Sequence, residues 1–216
     1  MSSPTNKTGL WFTFRLRTLF VLSILLVVAS AWCGREYNQR QREAIVSTWI
    51  KESGGSVASA KDNWWNNRVD QLFGERVQSV HLTNTRVSDL TAVSELKDLR
   101  YLDLSYTPVK NLSPLTNNKR LEQLFLIDTM VDSLSALEGL DQLEWLLLHG
   151  TPVRDLSPLA NAKSLTWLTL ADTKVDDLTP LMNLHNLELI RLKDTCLTSR
   201  QVQELRLALP ECEIEF

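Results

Sequence analysis

The sequence predicts an α/β fold, a solenoid of stacked strand-and-turn units whose parallel strands make one sheet. Three observations carry this. Apolar residues recur every 22 positions over the C-terminal two-thirds of the 216-residue chain. A threonine returns at the same place in six successive units. An uncharged stretch lies behind a basic N-terminus, ahead of the repeating part.

The repeat fixes the placement of nearly every residue after position 77. Leu99, Leu121, Leu143, Leu165 and Leu187 are each 22 residues apart, and Val77 extends the series backwards. Aligned on these, the unit reads L-x-x-L-x-L-x-x-T-x-V. Its second apolar position holds Val80, Leu102, Leu124, Leu146, Leu168 and Ile190, and its third Leu82, Leu104, Leu126, Leu148, Leu170 and Leu192. The ninth position is Thr85, Thr107, Thr129, Thr151, Thr173 and Thr195, followed two residues on by a Val or, at Leu197, a Leu. Farther along, Leu90, Leu112, Leu134, Leu156 and Leu178 mark a fourth inward position, and Val93, Leu115, Leu137, Leu159 and Leu181 a fifth.

One such unit cannot bury its own leucines. Strands stacked about 4.8 Å apart bury them between neighbours, each fully buried Leu or Val contributing roughly 1.5–3 kcal/mol before chain entropy is counted. The threonine stands where a tight turn leaves backbone groups that cannot all reach one another. Its hydroxyl both donates and accepts, so six buried, hydrogen-bonded hydroxyls are expected. The segment between strands is too short for a full helix. Ser113-Pro114, Ser157-Pro158 and Thr179-Pro180 suggest single helical turns, with the hydroxyl as cap and the proline in the first turn.

This pattern resembles the leucine-rich-repeat family, and within it the short 22-residue repeats of internalin-like bacterial proteins. The family places Asn or Cys where this sequence has Thr. The resemblance covers residues 77–216 and implies a right-handed solenoid with one curved parallel sheet, short convex turns and a concave sheet face that binds partners.

A stacked core needs covered ends. Residues 54–76 are expected to form an N-terminal cap, with Asp62 starting a helix that carries Trp65, Val69, Leu72 and Phe73 on one face and stops at Gly74. Residues 35–53 read as a stalk helix with an apolar stripe of Ile45, Val46, Trp49 and Ile50, ended by Gly54-Gly55. Six repeats fill residues 77–198 and a C-terminal cap residues 199–216. In that cap Thr198 and Gln201 fit a capping box, with Val202 and Leu205 facing in. Continuing the period from Leu187 gives Leu209-x-x-Cys212-x-Ile214 as a closing seventh strand. That register makes Cys212 a buried thiol, out of reach of Cys196 for a disulfide.

Residues 18–34, TLFVLSILLVVASAWCG, carry no charge and follow Lys7, Arg15 and Arg17 in a basic tail over residues 1–17. Seventeen residues are the short end of a single membrane-spanning helix, and the basic flank favours a cytoplasmic N-terminus. Arg35, Arg40 and Arg42 follow the span and weaken that bias. The competing reading is a cleaved secretory signal with its apolar core at Leu19–Val28 and Ala29-Ser30-Ala31 as the cleavage site. Trp32 is too bulky for a lipoprotein signal ahead of Cys33. Both leading readings place the repeats on the extracytoplasmic side of the membrane.

Beyond the basic tail the chain holds 20 basic and 26 acidic residues, a poor surface for nucleic acid, whose phosphates demand the opposite charge. No Ser-His-Asp set, HExxH pair, glycine-rich phosphate loop or CxxC pair appears. The sequence thus points to a binding protein rather than an enzyme, with no cofactor, no metal and a protein or peptide as partner. Side chains between the inward leucines face the open side of the sheet. There Tyr101, Phe125, Trp145 and Trp167 are large apolar groups that the fold does not require. Leu147, Leu189, His149 and Arg191 complete the candidate partner-binding surface. Asp128, Asp172 and Asp194 share the eighth position and read as a solvated acidic rim. A structural envelope spacer with no dedicated ligand, or a secreted repeat protein, would carry the same repeats.

Overall fold

A 22-residue period leaves room for only three ladder residues per repeat, and the strands are that short. The computed structural model describes residues 8–59 and 76–216. By internal contacts the chain divides into a unit ending at Gln41 and a unit Arg42–Phe216. Among the described residues the second holds one eight-stranded sheet in chain order. Its strands are β1 (Ser56–Ala58), β2 (Ser79–His81), β3 (Tyr101–Asp103), β4 (Gln123–Phe125), β5 (Trp145–Leu147), β6 (Trp167–Thr169), β7 (Leu189–Arg191) and β8 (Glu213–Glu215). From β2 to β7 every pair is parallel and offset by 22 residues, so Val80 faces Leu102 and Leu168 faces Ile190. The expected inward leucines are buried, most of them completely. A further inward position, missed in the sequence, holds Leu96, Leu140 and Leu184. Asn118 occupies it once, fully buried, its Nδ2 donating to the Leu96 carbonyl at 2.8 Å.

All six threonines of the ninth position donate to the carbonyl three residues back, at 2.5–2.9 Å. The inner four are buried; Thr85 and Thr195, in the outermost repeats, are partly so. The eighth position shows a demand the sequence reading overlooked. Asn84, Tyr106, Asp128, Asp172 and Asp194 have φ between 52° and 60°, and Gly150 has 70°. Left-handed backbone favours Gly, Asn and Asp. The recurring aspartates are explained by that conformation before any rim charge is invoked.

The connections carry 3-10 turns at Thr91–Glu95, Ser113–Asn117, Ser135–Leu137, Ser157–Leu159 and Thr179–Leu181. Pro114, Pro158 and Pro180 sit in their first turns as expected. The expected capping hydroxyls do not cap. The acceptor lies two residues earlier, where Asn111, Asp155 and Asp177 take the backbone N–H of Ser113, Ser157 and Thr179 at 2.8–2.9 Å. A hydroxyl at the first residue of so tight a turn has no free N–H ahead of it within reach, whereas an Asx side chain spans the gap.

The C-terminal cap keeps its capping box, with Thr198 and Gln201 bonded reciprocally at the start of α2 (Ser199–Ala208) and Val202 and Leu205 buried. The register of the closing strand is two residues later than the period predicts. Ile190 faces Ile214, an offset of 24. An α-helix rises only about 1.5 Å per residue, so α2 takes more residues than a 3-10 turn to cover the same path. Ile214, not Cys212, fills the second inward position. Cys212 is half-buried, its thiol pKa pushed up by burial and then by the Glu213 charge. The thiols of Cys33, Cys196 and Cys212 are free.

At the front, α1 (Thr8–Glu52) includes the stretch expected as a stalk. Its residues within the second unit form a helical cap in which Val46 and Ile50 are buried, Trp49 packs partly and Ile45 faces out, 70% exposed. The Glu43 carboxylate, also buried, accepts the Val77 N–H at 3.3 Å. Gly54, at φ 86°, ends the helix with Gly54 N–H on Lys51 and Gly55 N–H on Ile50. The chain then enters β1, which pairs antiparallel with β2, Val57 facing Val80. That strand was not foreseen. The helix expected from Asp62 to Phe73 lies outside the described residues.

In the first unit Arg40 and Glu36 pair at 2.8 Å. Several apolar side chains there are exposed, Leu26 by 71% and Val27 by 67%. Among the described residues no helix is long and apolar enough to cross a membrane. The side chains of residues 18–20 and 22, part of the segment expected to span, lie outside the described residues.

Candidate functional site

The period that buries the leucines also stacks what lies between them. Each strand offers its first and third residues to the open face of the sheet, and the 22-residue register sets equivalent residues side by side. Trp145 thus faces Trp167, Trp167 faces Leu189, and Phe125 faces Leu147. Trp145 and Trp167 have ring centroids 5.2 Å apart. Tyr101 meets Phe125 edge-on at 5.1 Å and His81 at 4.7 Å on its other side. The six apolar residues singled out in the sequence are all half-buried, sharing surface while keeping part of it open.

The two polar candidates lie at the margins. Arg191 is exposed, holds Glu215 through Nε at 2.7 Å and places its guanidinium carbon 5.7 Å from the Trp167 ring centre. His149 is exposed beyond the end of β5, and its carbonyl accepts the Asp128 N–H at 2.8 Å. Thr169, a neighbouring position on the same face, is buried instead. The Trp167 indole N–H is buried with no acceptor among the described residues.

The tyrosine end of the face differs electrostatically. Burial, then the nearby Asp103 charge, pushes the Tyr101 phenol up to about 12, so it stays a neutral donor at all physiological pH. Asp103 is itself fixed, accepting from Thr83 Oγ1 at 2.7 Å and Ser105 N at 2.9 Å. Among the described residues no group of three or more His, Cys, Asp or Glu is placed to hold a metal ion. None of these arrangements supplies a nucleophile–base pair or an anion cradle; what the face offers is contact area.

No protein-family model and no curated protein matches the chain. Among solved structures it is similar to internalin C2 of Listeria monocytogenes, at 28% identity and TM-score 0.61, covering 66% of this chain and 62% of that one. It is also similar to a leucine-rich-repeat protein of Leptospira interrogans, at 25% identity and TM-score 0.62, covering 68% and 39%. A third, internalin InlF of Listeria monocytogenes, matches at 23% identity and TM-score 0.50 over 64% and 46%, a likeness of fold alone. The chain therefore spans less than two-thirds of each of these proteins. It has a leucine-rich-repeat fold like these neighbours.

Proposed function

We propose that this chain is a membrane-anchored leucine-rich-repeat protein that holds a protein or peptide on the open face of its sheet, outside the cytoplasm. The observation that carries the reading is the run of half-buried apolar side chains on one face, Tyr101–Phe125 and Trp145–Trp167 in ring contact, with Leu147 and Leu189 beside them. The inward leucines already complete the core, so these groups are surplus to folding. Contiguous exposed aromatic surface of this kind marks interaction sites. The internalin and other leucine-rich-repeat neighbours support a binding role over catalysis. Anchoring rests on the uncharged residues 18–34 and on the exposed apolar side chains of Val21, Ile24, Leu25, Leu26, Val27, Val28 and Trp32.

The test of binding is photo-cross-linking of the full chain in intact membranes, with and without Trp145→Ala and Trp167→Ala. A cross-linked species lost in the double variant supports the site; capture that ignores both substitutions overturns it. Protease added to spheroplasts should digest the repeats. Protection without permeabilisation overturns the topology, and a mature chain beginning at Trp32 replaces the anchor with a cleaved signal.

A further inference from the structure

The apolar centre of the sheet face lies between two files of carboxylates. On the side where strands begin stand Glu122, Glu144 and Glu188, each immediately before β4, β5 and β7. On the side where they end stand Asp128, Asp172 and Asp194, held in left-handed turns. Glu122 pairs with Arg100. The other five have no ion-pair partner among the described residues. The cations near the face are mostly engaged already, Arg100 with Glu122, Arg120 with Asp98 and Arg191 with Glu215. Lys193 remains, beside Asp194.

Resting on the binding role proposed above, we infer that the occupant of this face is a basic amphipathic helix, a segment with one apolar stripe flanked on both sides by Lys and Arg. The dimensions suit it. From Phe125 to Leu189 is three strand steps, about 14 Å, or between two and three helical turns. The two acidic files lie six residues apart in the chain, on either side of three-residue strands and with the second file in left-handed turns, so less than about 20 Å apart, against a helix diameter of about 10–12 Å. Lysine and arginine side chains projecting from either flank reach the carboxylates while the stripe covers the aromatics. Nucleic acids and anionic lipids would bring phosphates against the same carboxylates. An added strand would dock at β1 or β8, the sheet's edges, and leave this face bare.

Two tryptophan-free synthetic helices of about 18 residues, roughly 27 Å long, test the inference. They share one leucine stripe and differ only in flanks, Lys in one and Glu in the other. Each is titrated into the full chain, read by tryptophan fluorescence and calorimetry. The Lys peptide should bind, at least roughly tenfold more weakly to a variant carrying E144Q, E188Q, D128N, D172N and D194N, and more weakly at high salt. Asn is native in the same turn at Asn84, so the rim changes keep the backbone. Equal affinity for both peptides, or Lys-peptide binding untouched by rim neutralisation, overturns the inference. If W145A/W167A then abolishes binding of both peptides, the apolar site stands and only its charge preference fails. Binding indifferent to W145A/W167A removes the site itself.

Discussion

Tyr106 and Asp128 hold the same place in successive repeats and the same left-handed backbone, with φ 60° and 52°. Asp tolerates that conformation; a tyrosine there is strained by roughly 1–2 kcal/mol. Its side chain is 55% exposed, so little packing offsets the strain. Tyr106→Asn is expected to stabilise the protein by about 1 kcal/mol in urea unfolding. An unchanged or lower midpoint would mean that the ring makes compensating contacts.

The buried hydroxyl of Thr129 donates to the Leu126 carbonyl at 2.9 Å. Thr129→Val keeps the shape and deletes the donor. The expected loss is about 1–3 kcal/mol, because the carbonyl faces the interior unpaired. The same change at the more exposed Thr195 should be milder. Equal losses at both sites would refute burial as the reason.

Asp89, Asp155 and Asp177 all have their carboxyls held below the ordinary carboxylate range. At Asp89 and Asp177 the main cause is the hydroxyl donated by Thr91 or Thr179, then the backbone N–H of the same residue. At Asp155 the Ser157 backbone N–H leads and its hydroxyl follows. A depressed folded-state value gives stability that is present above the unfolded value, about pH 4, and is lost as pH falls through the folded one. Asn111 plays the same part with a neutral amide. The triple variant D89N/D155N/D177N should therefore be less stable than the parent near pH 7, lose less stability below about pH 4, and converge with the parent in acid. Parallel acid limbs for the two proteins would contradict this.

A Cβ on Gly55 would lie 2.6 Å from the His81 carbonyl oxygen and 2.7 Å from Leu82 Cδ2. The oxygen is backbone of β2 and cannot rotate away. Gly55→Ala should cost about 1–3 kcal/mol as overpacking and should weaken amide-exchange protection at Ser79–His81 before any later strand. Loss of protection spread evenly over the sheet would show that β1 does not act locally.

Much of this was legible because 22-residue spacing and binary pattern constrain position directly. Thr107, Leu124 and Trp145 could each be placed from their phase in the repeat. What escaped depends on backbone states that residue types only hint at. The left-handed eighth position was visible as Asn, Asp or Gly in five of six repeats, yet it reads equally as surface charge. Asp155 and Ser157 are both plausible caps until the turn is known to be 3-10. Cys212 was misplaced because a helix and a turn of equal span differ in residue count. The antiparallel β1 has only Val57 as an inward residue, too short a signal to separate from a loop. The aromatic groups on the sheet face were identified, but whether Trp145 and Trp167 stack or splay depends on side-chain torsions.

The buried carboxylate of Asp98 is held from both sides, by Arg76 one repeat before it and Arg120 one repeat after. Because all three occupy the same phase of the period, the repeats are not interchangeable modules. Unequal crossing-over that excised residues 77–98 would preserve the leucine frame and bring Arg76 beside Arg120, cation against cation at the edge of an apolar stack. Duplication of the same segment would instead set Asp98 beside a second copy of itself. The genetic route by which a repeat array lengthens or shortens is thus obstructed at this point, and repeat number near the front of the protein should vary less readily than among the repeats behind it.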